Sequence, residues 1–347
     1  MRTVEYQFYL RPYRLPFRAP VRTSHGVWSE RAGVIVRLED ENGRVGFGEA
    51  APIPCFGTET VEEIVAACGS LGERVDERRL DDVPVALRCL KNALVAARTE
   101  SVTPQNPAPR QVAALLPAGT PALPALRGRL EAGFRVFKWK VGVGDVADEL
   151  AILDDLCGEL PSGGRLRLDA NGAWDRRTAE RWLARCAERP VEFVEQPCFA
   201  PGTGASLGAA LRQRVEDLLM GLAGDFPTPI ALDESVVADG DVDRWLGRGW
   251  PGVIVLKPTL LADMDGTMAK LAKAGTPLVF SSALETGVGA KRALSLAFAW
   301  SGPSLALGFG VWPLFDRPEC EGPTAAPFVR WEDVQAINPE AVWNALS

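Results

Sequence analysis

Histidine is almost missing: the 347-residue chain contains one, His25. A single imidazole excludes every mechanism that needs two, including His-rich zinc sites and His-x-x-x-His metalloprotease helices. Acid–base chemistry must then rest on Lys, Asp, Glu, Tyr or Cys, or on that one imidazole. The seven cysteines (Cys55, Cys68, Cys89, Cys157, Cys186, Cys198 and Cys320) are odd in number and contain no Cys-x-x-Cys pair. The chain also lacks a secretory apolar segment at its start and any apolar run near 18 residues. These are therefore expected to be reduced thiols of a cytoplasmic protein, with no disulfide framework and no membrane span. No strongly basic block stands out. With 38 Lys and Arg against 45 Asp and Glu, the net charge is −7, and neither nucleic acid nor an anionic membrane is an expected partner. The 47% hydrophobic and 24% charged content is that of an ordinary globular protein. This length allows two domains, or one large barrel with an appendage.

Residues 1–103 read as an α+β unit. Apolar alternation over 4–10, 34–38 and 45–49 predicts three strands, with a turn at 41–44 between the last two. Thr60 and Glu63 form a capping box, after which Val61, Ile64, Val65 and Cys68 make one apolar helical face. A second helical pattern runs through Leu87, Leu90, Leu94 and Ala97, and the proline-rich stretch 101–110 reads as a linker.

From residue 104 the texture changes. Apolar runs recur at 111–117, 134–142, 165–172, 191–197, 229–235, 252–258, 277–284 and 305–310, most of them separated by a helical pattern. Between the third and fourth, Asp175 is the expected N-cap, and Ala179, Trp182, Leu183 and Cys186 are the expected apolar face. Eight strand–helix alternations predict an α/β protein built on a (β/α)8-type barrel over 104–320. An open doubly wound sheet is the alternative, but no Gly-x-Gly-x-x-Gly turn follows a strand to support it. The stretch from Cys198 to Pro229 is unusually long, with a Gly/Pro-rich part and then a helix. Residues 321–347 are expected to return to the first domain.

Charge interrupts these apolar strands near their C-terminal ends, where barrel active sites lie. Lys138 and Lys140 fall on the second strand, Asp169 on the third, Glu195 on the fourth, Asp233 on the fifth and Lys257 on the sixth. Each alone has an ordinary reading as an exposed strand face or a cap. The alternation weakens that reading for Lys138 and Lys140, because Phe137, Trp139 and Val141 take the face that helices should cover. Three carboxylates on neighbouring strands suit an oxygen-loving cation such as Mg²⁺. Lysines on both sides suit proton abstraction next to a carboxylate, with the metal holding the resulting enediolate.

The runs Lys138-Trp139-Lys140, Asp169-Ala170-Asn171, Glu195-Gln196-Pro197, Asp233-Glu234-Ser235 and Lys257-Pro258 resemble the enolase superfamily, muconate-lactonizing subgroup. The resemblance covers nearly the whole chain. It implies a modified (β/α)8 barrel behind an N-terminal α+β capping domain. It also implies Asp169, Glu195 and Asp233 as ligands of Mg²⁺, with Mn²⁺ able to substitute, and Lys140 and Lys257 facing each other across a small carboxylate substrate. Within the subgroup, residues 48–60, with Phe56 and Thr58-Glu59-Thr60, resemble the corresponding run of the o-succinylbenzoate synthases. Ser281, Ser282 and Arg167 also look like that family. The resemblance implies a syn dehydration of 2-succinyl-6-hydroxy-2,4-cyclohexadiene-1-carboxylate to 2-succinylbenzoate, in menaquinone or phylloquinone biosynthesis. Lys140 would transfer the proton, Lys257 would be a cation over the ring, and Lys138 and Arg167 would add positive charge. Asn171, Ser281, Ser282 and Phe56 would touch the substrate.

Two departures stand out: Cys55 takes a place where the family often has Gly, and the 198–229 stretch is long. A mandelate-racemase-type His–Asp base cannot be built from this chain. An N-acylamino-acid racemase or dipeptide epimerase is the rival within the superfamily, although Gly308-Phe309-Gly310-Val311-Trp312 lacks the acidic pair that epimerases usually carry there. A non-catalytic barrel is the rival of another class, and the presence of all six charged positions speaks against it.

Overall fold

A computed structural model describes residues 4–23, 26–99, 104, 107–199 and 208–346. His25, half of the proline-rich linker (101–103, 105 and 106) and residues 200–207 of the 198–229 stretch lie outside them.

The capping domain is a four-stranded antiparallel sheet with three helices. Its strands are β1 (Glu5–Thr23), β2 (Gly26–Asp40), β3 (Val45–Ala50) and β4 (Arg74–Asp76), in the order β3-β2-β1-β4. The first two strands run much further than the alternation of the sequence predicts. Pro12, Pro16 and Pro20 make residues beyond 10 look unlike a strand, yet β4 pairs with β1 only at Glu5–Gln7. From Arg11 onward β1 has no neighbouring strand on that side apart from one bridge, Phe17↔Phe315, and such an edge tolerates residues with no N–H to donate. The hairpin breaks register after Pro16↔Glu30 and resumes at Val21↔Trp28. It thus becomes an arm of the domain.

Helix α1 (Val61–Leu71) starts with the expected capping box between Thr60 and Glu63. After a short α2 (Glu77–Asp81), α3 (Arg88–Arg98) lies directly on β3. A Cβ at Gly48 would fall 1.9 Å from the Ala93 carbonyl oxygen, so only glycine permits this approach.

The barrel alternates strands and helices: β5 (Arg110–Leu116), α4 (Ala122–Glu131), β6 (Val136–Lys140), α5 (Val146–Glu159), β7 (Arg165–Asp169), α6 (Arg176–Cys186), β8 (Val191–Glu195) and α7 (Ala209–Asp225). It continues with β9 (Ile230–Leu232), α8 (Asp239–Gly247), β10 (Val253–Leu256), α9 (Met264–Ala274), β11 (Leu278–Phe280), α10 (Gly287–Ala299) and β12 (Leu307–Gly310). All eight apolar runs of the sequence form strands. They pair in parallel from β11 down to β5 and then β12, and bridges Leu278↔Ser304 and Ser281↔Gly308 close the ring. Asp175 caps α6 by accepting from the Thr178 N–H. Trp182 of that helix is fully buried, stacked on Trp174 at 5.0 Å and edge-on to Trp139 of β6 at 6.4 Å. This aromatic layer takes up the outward face of β6 and turns Lys138 and Lys140 inward. Inside the barrel, Phe193, Ala231, Val253, Val255 and Val279 form an apolar plug. All seven cysteines are free thiols, five of them buried.

Residues beyond 320 join both parts. β13 (Phe328–Val329) pairs antiparallel with Gln111 and Arg110 of β5. Two short helices follow, α11 (Trp331–Ala336) and α12 (Pro339–Ala345). Trp343 of α12 packs against Phe47 of β3 at 6.1 Å and lies under the Arg11 guanidinium at 4.2 Å.

A second junction is polar and buried. Glu49 of β3 accepts from the Tyr13 hydroxyl (2.5 Å), from the Thr286 hydroxyl and N–H (2.5 and 2.9 Å) and from the Gly289 N–H (2.8 Å). A carboxylate of the cap thereby sits on the N-terminus of α10, where backbone donors and the helix dipole favour negative charge. Beside it, fully buried Glu285 accepts from the Ser282 hydroxyl (3.1 Å) and the Ala283 N–H (2.5 Å) through one oxygen, while its other oxygen has no partner.

Candidate active site

The barrel's register brings the charged residues to one height. Lys140 of β6 is the direct partner of Asp169 on β7, and Asp169 of Glu195 on β8. Asp233 and Lys257 follow immediately after β9 and β10. Together with Lys138 and Glu234, they line one cavity of about 270 Å³ at the C-terminal mouth of the barrel. The cap closes it from above with Val21 and Trp28 of the β1–β2 arm, Ile53, and Phe56. The Phe56 ring lies 5.6 Å from Lys257 Nζ, in cation–π range. The loop after Lys257 is gripped from the cap, since Asn92 of α3 donates to the carbonyls of Pro258 (3.0 Å) and Leu261 (2.7 Å).

Lys138 Nζ sits between Asp169 Oδ2 (2.9 Å) and Glu195 Oε1 (2.7 Å), and Lys257 is ion-paired with Asp233. Among the described residues no three acidic side chains converge in a metal-holding arrangement. The chain's own ammonium groups stand between these carboxylates instead. The composition of the rim nevertheless fits a hard divalent cation: four carboxylates (Asp169, Glu195, Asp233 and Glu234) face three ammonium groups (Lys138, Lys140 and Lys257). The electrostatics agree. Burial, reinforced by Asp169 and Asp233, pushes the Glu195 carboxyl up to about 8 against the pull of Lys138. Burial with the charges of Asp233 and Asp169 likewise raises Glu234 to about 7. Such a group lacks compensating positive charge.

The two lysines of β6 diverge. Burial would lower Lys138, but Asp169, Glu195 and Asp233 together push it well above the ordinary lysine range. Lys140 is held below that range, chiefly by burial and also by the neighbouring Lys138 charge, against the pull of Asp169. Lys138 is therefore a fixed cation, and Lys140 is the lysine disposed to exchange a proton. Asp233 is buried, yet Lys257 and Lys138 hold it below the usual carboxylate range.

The remaining expected residues lie at different depths. Ser281 lines the cavity and its hydroxyl donates to the Gly308 carbonyl at 3.3 Å. A Cβ at residue 308 would collide with the Ser281 Oγ at 2.5 Å. Ser282 lines the cavity too, and its hydroxyl donates to Glu285 at 3.1 Å. Asn171 lines the cavity with a left-handed backbone (φ 43°) and donates to Glu234 at 3.0 Å. Arg167 sits one layer lower, 1% exposed, with its guanidinium on Glu192 (2.5 Å) and the Ala306 carbonyl (2.8 Å) and over the Phe193 ring at 4.9 Å. Its guanidinium is paired with Glu192, and it lines the floor of the cavity beneath the rim.

Two rim residues escape the sequence reading. Gln196 is fully buried with φ 36°; its amide donates to Ser235 (2.8 Å) and its carbonyl accepts from the Asp233 and Ser235 N–H groups. It ties the loop after β8 to the loop after β9 and so fixes Glu195 relative to Asp233. The second is Glu234, buried beside Asp233 and lining the same cavity.

Residues 123–330 match the family model described as enolase C-terminal domain-like, and residues 3–86 match that of the MenC N-terminal domain. The chain is 40% identical to o-succinylbenzoate synthase of Thermosynechococcus vestitus over 307 residues, 87% of this chain and 91% of that one. It belongs to the o-succinylbenzoate synthase family of the enolase superfamily. A second family member, from Thermobifida fusca, is 32% identical over 88% of this chain and 83% of its own. The crystal structure of the Thermosynechococcus elongatus o-succinylbenzoate synthase, complexed with Mg in its active site, superposes with a TM-score of 0.77. It is 38% identical and covers 90% of this chain and 95% of that one. A dipeptide epimerase from Enterococcus faecalis also reaches 0.77, but at 20% identity over 91% and 93% of the two chains it shares the fold alone.

Proposed function

We propose that this chain dehydrates 2-succinyl-6-hydroxy-2,4-cyclohexadiene-1-carboxylate to 2-succinylbenzoate, on the route to menaquinone or phylloquinone. The observation that carries this reading is the meeting of Lys140 and Lys257, from strands β6 and β10, in one capped cavity of an o-succinylbenzoate synthase family member.

Asp169, Glu195 and Asp233 would hold Mg²⁺, which when bound supplies Lewis-acid stabilisation of negative charge on the substrate carboxylate. Lys140 takes the proton from the carbon next to that carboxylate. The C–H electron pair moves into the ring as the C–O bond breaks, and Lys140 returns the proton to the departing hydroxyl, releasing water. Using one group for both transfers requires proton and hydroxyl on the same ring face, a syn elimination. Lys257, ion-paired with Asp233, places its ammonium group to steady the developing enediolate, with no proton transfer assigned to it. Lys138 stays positive and lowers the proton affinity of Lys140. Arg167 supports this layer from below through Glu192. Phe56, Val21 and Trp28 exclude water from above, and Ser281, Ser282 and Asn171 complete the polar wall.

A dipeptide epimerase needs an acidic pair for its substrate's ammonium group, and the Gly308-Phe309-Gly310-Val311-Trp312 stretch has none, which favours the dehydration instead. No helix among the described residues is long and apolar enough to cross a membrane, and we place the activity in the cytoplasm. The test is an assay of the purified protein on the diene, with and without a chelator. Formation of the aromatic product that is lost on chelation and restored by Mg²⁺ is expected. Proton exchange into N-succinylamino acids with no action on the diene would overturn the proposal.

A further inference from the structure

Buried polar atoms are nearly always hydrogen-bonded, and an orphan in a pocket wall is placed to receive a water or a ligand group. Two such atoms stand side by side here. Glu234 and Asn171 both line the cavity, and the Asn171 amide N–H donates to one Glu234 oxygen at 3.0 Å. The second carboxylate oxygen, Glu234 Oε2, is buried without a partner, and so is the amide carbonyl, Asn171 Oδ1. Glu234 is 5% exposed. Its backbone is fixed by its neighbours on both sides, since the Asp233 and Ser235 N–H groups donate to Gln196. Asn171 has a left-handed backbone (φ 43°), a conformation asparagine adopts more readily than most residues. Both unsatisfied atoms are acceptors. Ammonium groups elsewhere on the rim already face Asp169, Glu195 and Asp233. What this wall lacks is a neutral donor supplied by the ligand.

We propose that Glu234, with Asn171 beside it, is the hydroxyl-binding element of the pocket. It accepts the hydrogen of the substrate's leaving hydroxyl and so holds the hydroxyl oxygen toward Lys140. The inference rests on the dehydration proposed above. In that reaction the hydroxyl must keep its own hydrogen while its oxygen receives the proton from Lys140, so that water leaves with the C–O electron pair. An acceptor on the far side of the hydroxyl provides both the orientation and an increasingly favourable hydrogen bond as the O–H becomes more acidic. The aromatic product has no hydroxyl, so this contact distinguishes substrate from product.

The experiment compares wild type, Glu234→Ala, Glu234→Gln and Asn171→Gly, glycine being chosen for its tolerance of positive φ. Steady-state kinetics on the diene are measured alongside binding of 2-succinylbenzoate at saturating Mg²⁺. For Glu234→Ala, kcat/KM is expected to fall at least about tenfold, the scale of one hydrogen bond to a charged group. The product Kd should stay within about twofold of wild type. Glu234→Gln retains an acceptor and should recover most of the loss. Asn171→Gly should show the same substrate-selective defect, and it decides the matter if Glu234→Ala does not fold. Parallel loss of substrate turnover and product binding would overturn the inference, because it marks the pair as a structural wall. Undiminished turnover in both variants would overturn it too. Wild-type protein inactive on the diene would instead overturn the proposed function, and this inference with it.

Discussion

Replacing Glu285 by glutamine should make the protein more stable above neutral pH and leave it nearly unchanged below about pH 4.5. The Glu285 carboxyl is fully buried beneath the Ser282 loop, close to the second buried carboxylate, Glu49. Burial, augmented by the Glu49 charge, raises it from the ordinary 4.5 to about 7, although two backbone N–H groups and Arg31 pull the other way. The folded protein therefore binds this proton more tightly than the unfolded chain. Its stabilising contribution is complete below about pH 4.5 and is lost as pH rises through about 7. At 1.36 kcal/mol per pKa unit, the wild-type fold carries a cost of about 3 kcal/mol at pH 8 for ionising this group. Glutamine is nearly isosteric, still accepts from Ser282 and Ala283, and never ionises. Urea unfolding of both proteins at pH 5, 6, 7 and 8, with chelator present throughout, isolates the effect, because other titrating groups cancel in the difference. The stability difference should grow in favour of Glu285→Gln between pH 5 and pH 8, approaching about 3 kcal/mol. A difference that is flat across this range, or a glutamine variant less stable at pH 8, would refute the reasoning.

Lys140→Ala and Lys140→Arg should both lose dehydration by roughly 10²–10⁴-fold in kcat, since a guanidinium cannot deprotonate near neutral pH; a variant retaining more than about a hundredth of wild-type kcat contradicts the role given to Lys140. Lys257→Arg, which keeps the charge, should retain measurable dehydration well above Lys257→Ala, and complete loss in a correctly folded arginine variant would remove the division of labour between the two lysines. Glu195→Gln should weaken Mg²⁺ binding and activity together, with partial recovery at high metal; calorimetric titration showing wild-type Mg²⁺ affinity would strike Glu195 from the ligand set. Trp182→Ala should destabilise the fold by about 3–5 kcal/mol, and denaturant unfolding that shows a loss below about 1 kcal/mol would mean the aromatic layer behind β6 repacks.

The barrel was legible because its signals are local. Each strand is a short apolar run, and each rim residue is a charge that breaks the run at its end, as Glu195 does after Phe193 and Val194. The outward face of β6, read from Phe137 and Trp139, is buried as the alternation requires. What escaped is what depends on distant partners. The strand β1 runs on to Thr23 through three prolines because β4 leaves its edge open, a fact of sheet order and not of residue pattern. The Glu49–Thr286 contact joins residues 237 apart, with no periodicity to announce it. Glu234 was hidden by its neighbour Asp233, since a single strand-end acid suffices for the motif. Arg167 has a charge that suits the rim, and its depth emerges only once Glu192 turns toward it.

The tail beyond residue 320 hydrogen-bonds the first barrel strand through Phe328–Val329 and packs Trp343 under Arg11 and against Phe47 of the cap. A segment that belongs to both bodies removes the freedom of either to melt alone, because loosening the cap strips α12 of its partners and strains the pairing that β13 gives to β5. Calorimetry should therefore record one transition, in which the calorimetric and van't Hoff enthalpies agree. A barrel fragment ending at 320 would leave Arg110 and Gln111 at the start of β5 without their β13 partners, while β6 and β12 still flank the rest of the strand. The cavity mouth is built from both bodies, with Phe56 and Trp28 of the cap on one side and the rim lysines on the other, so its geometry inherits this shared cooperativity.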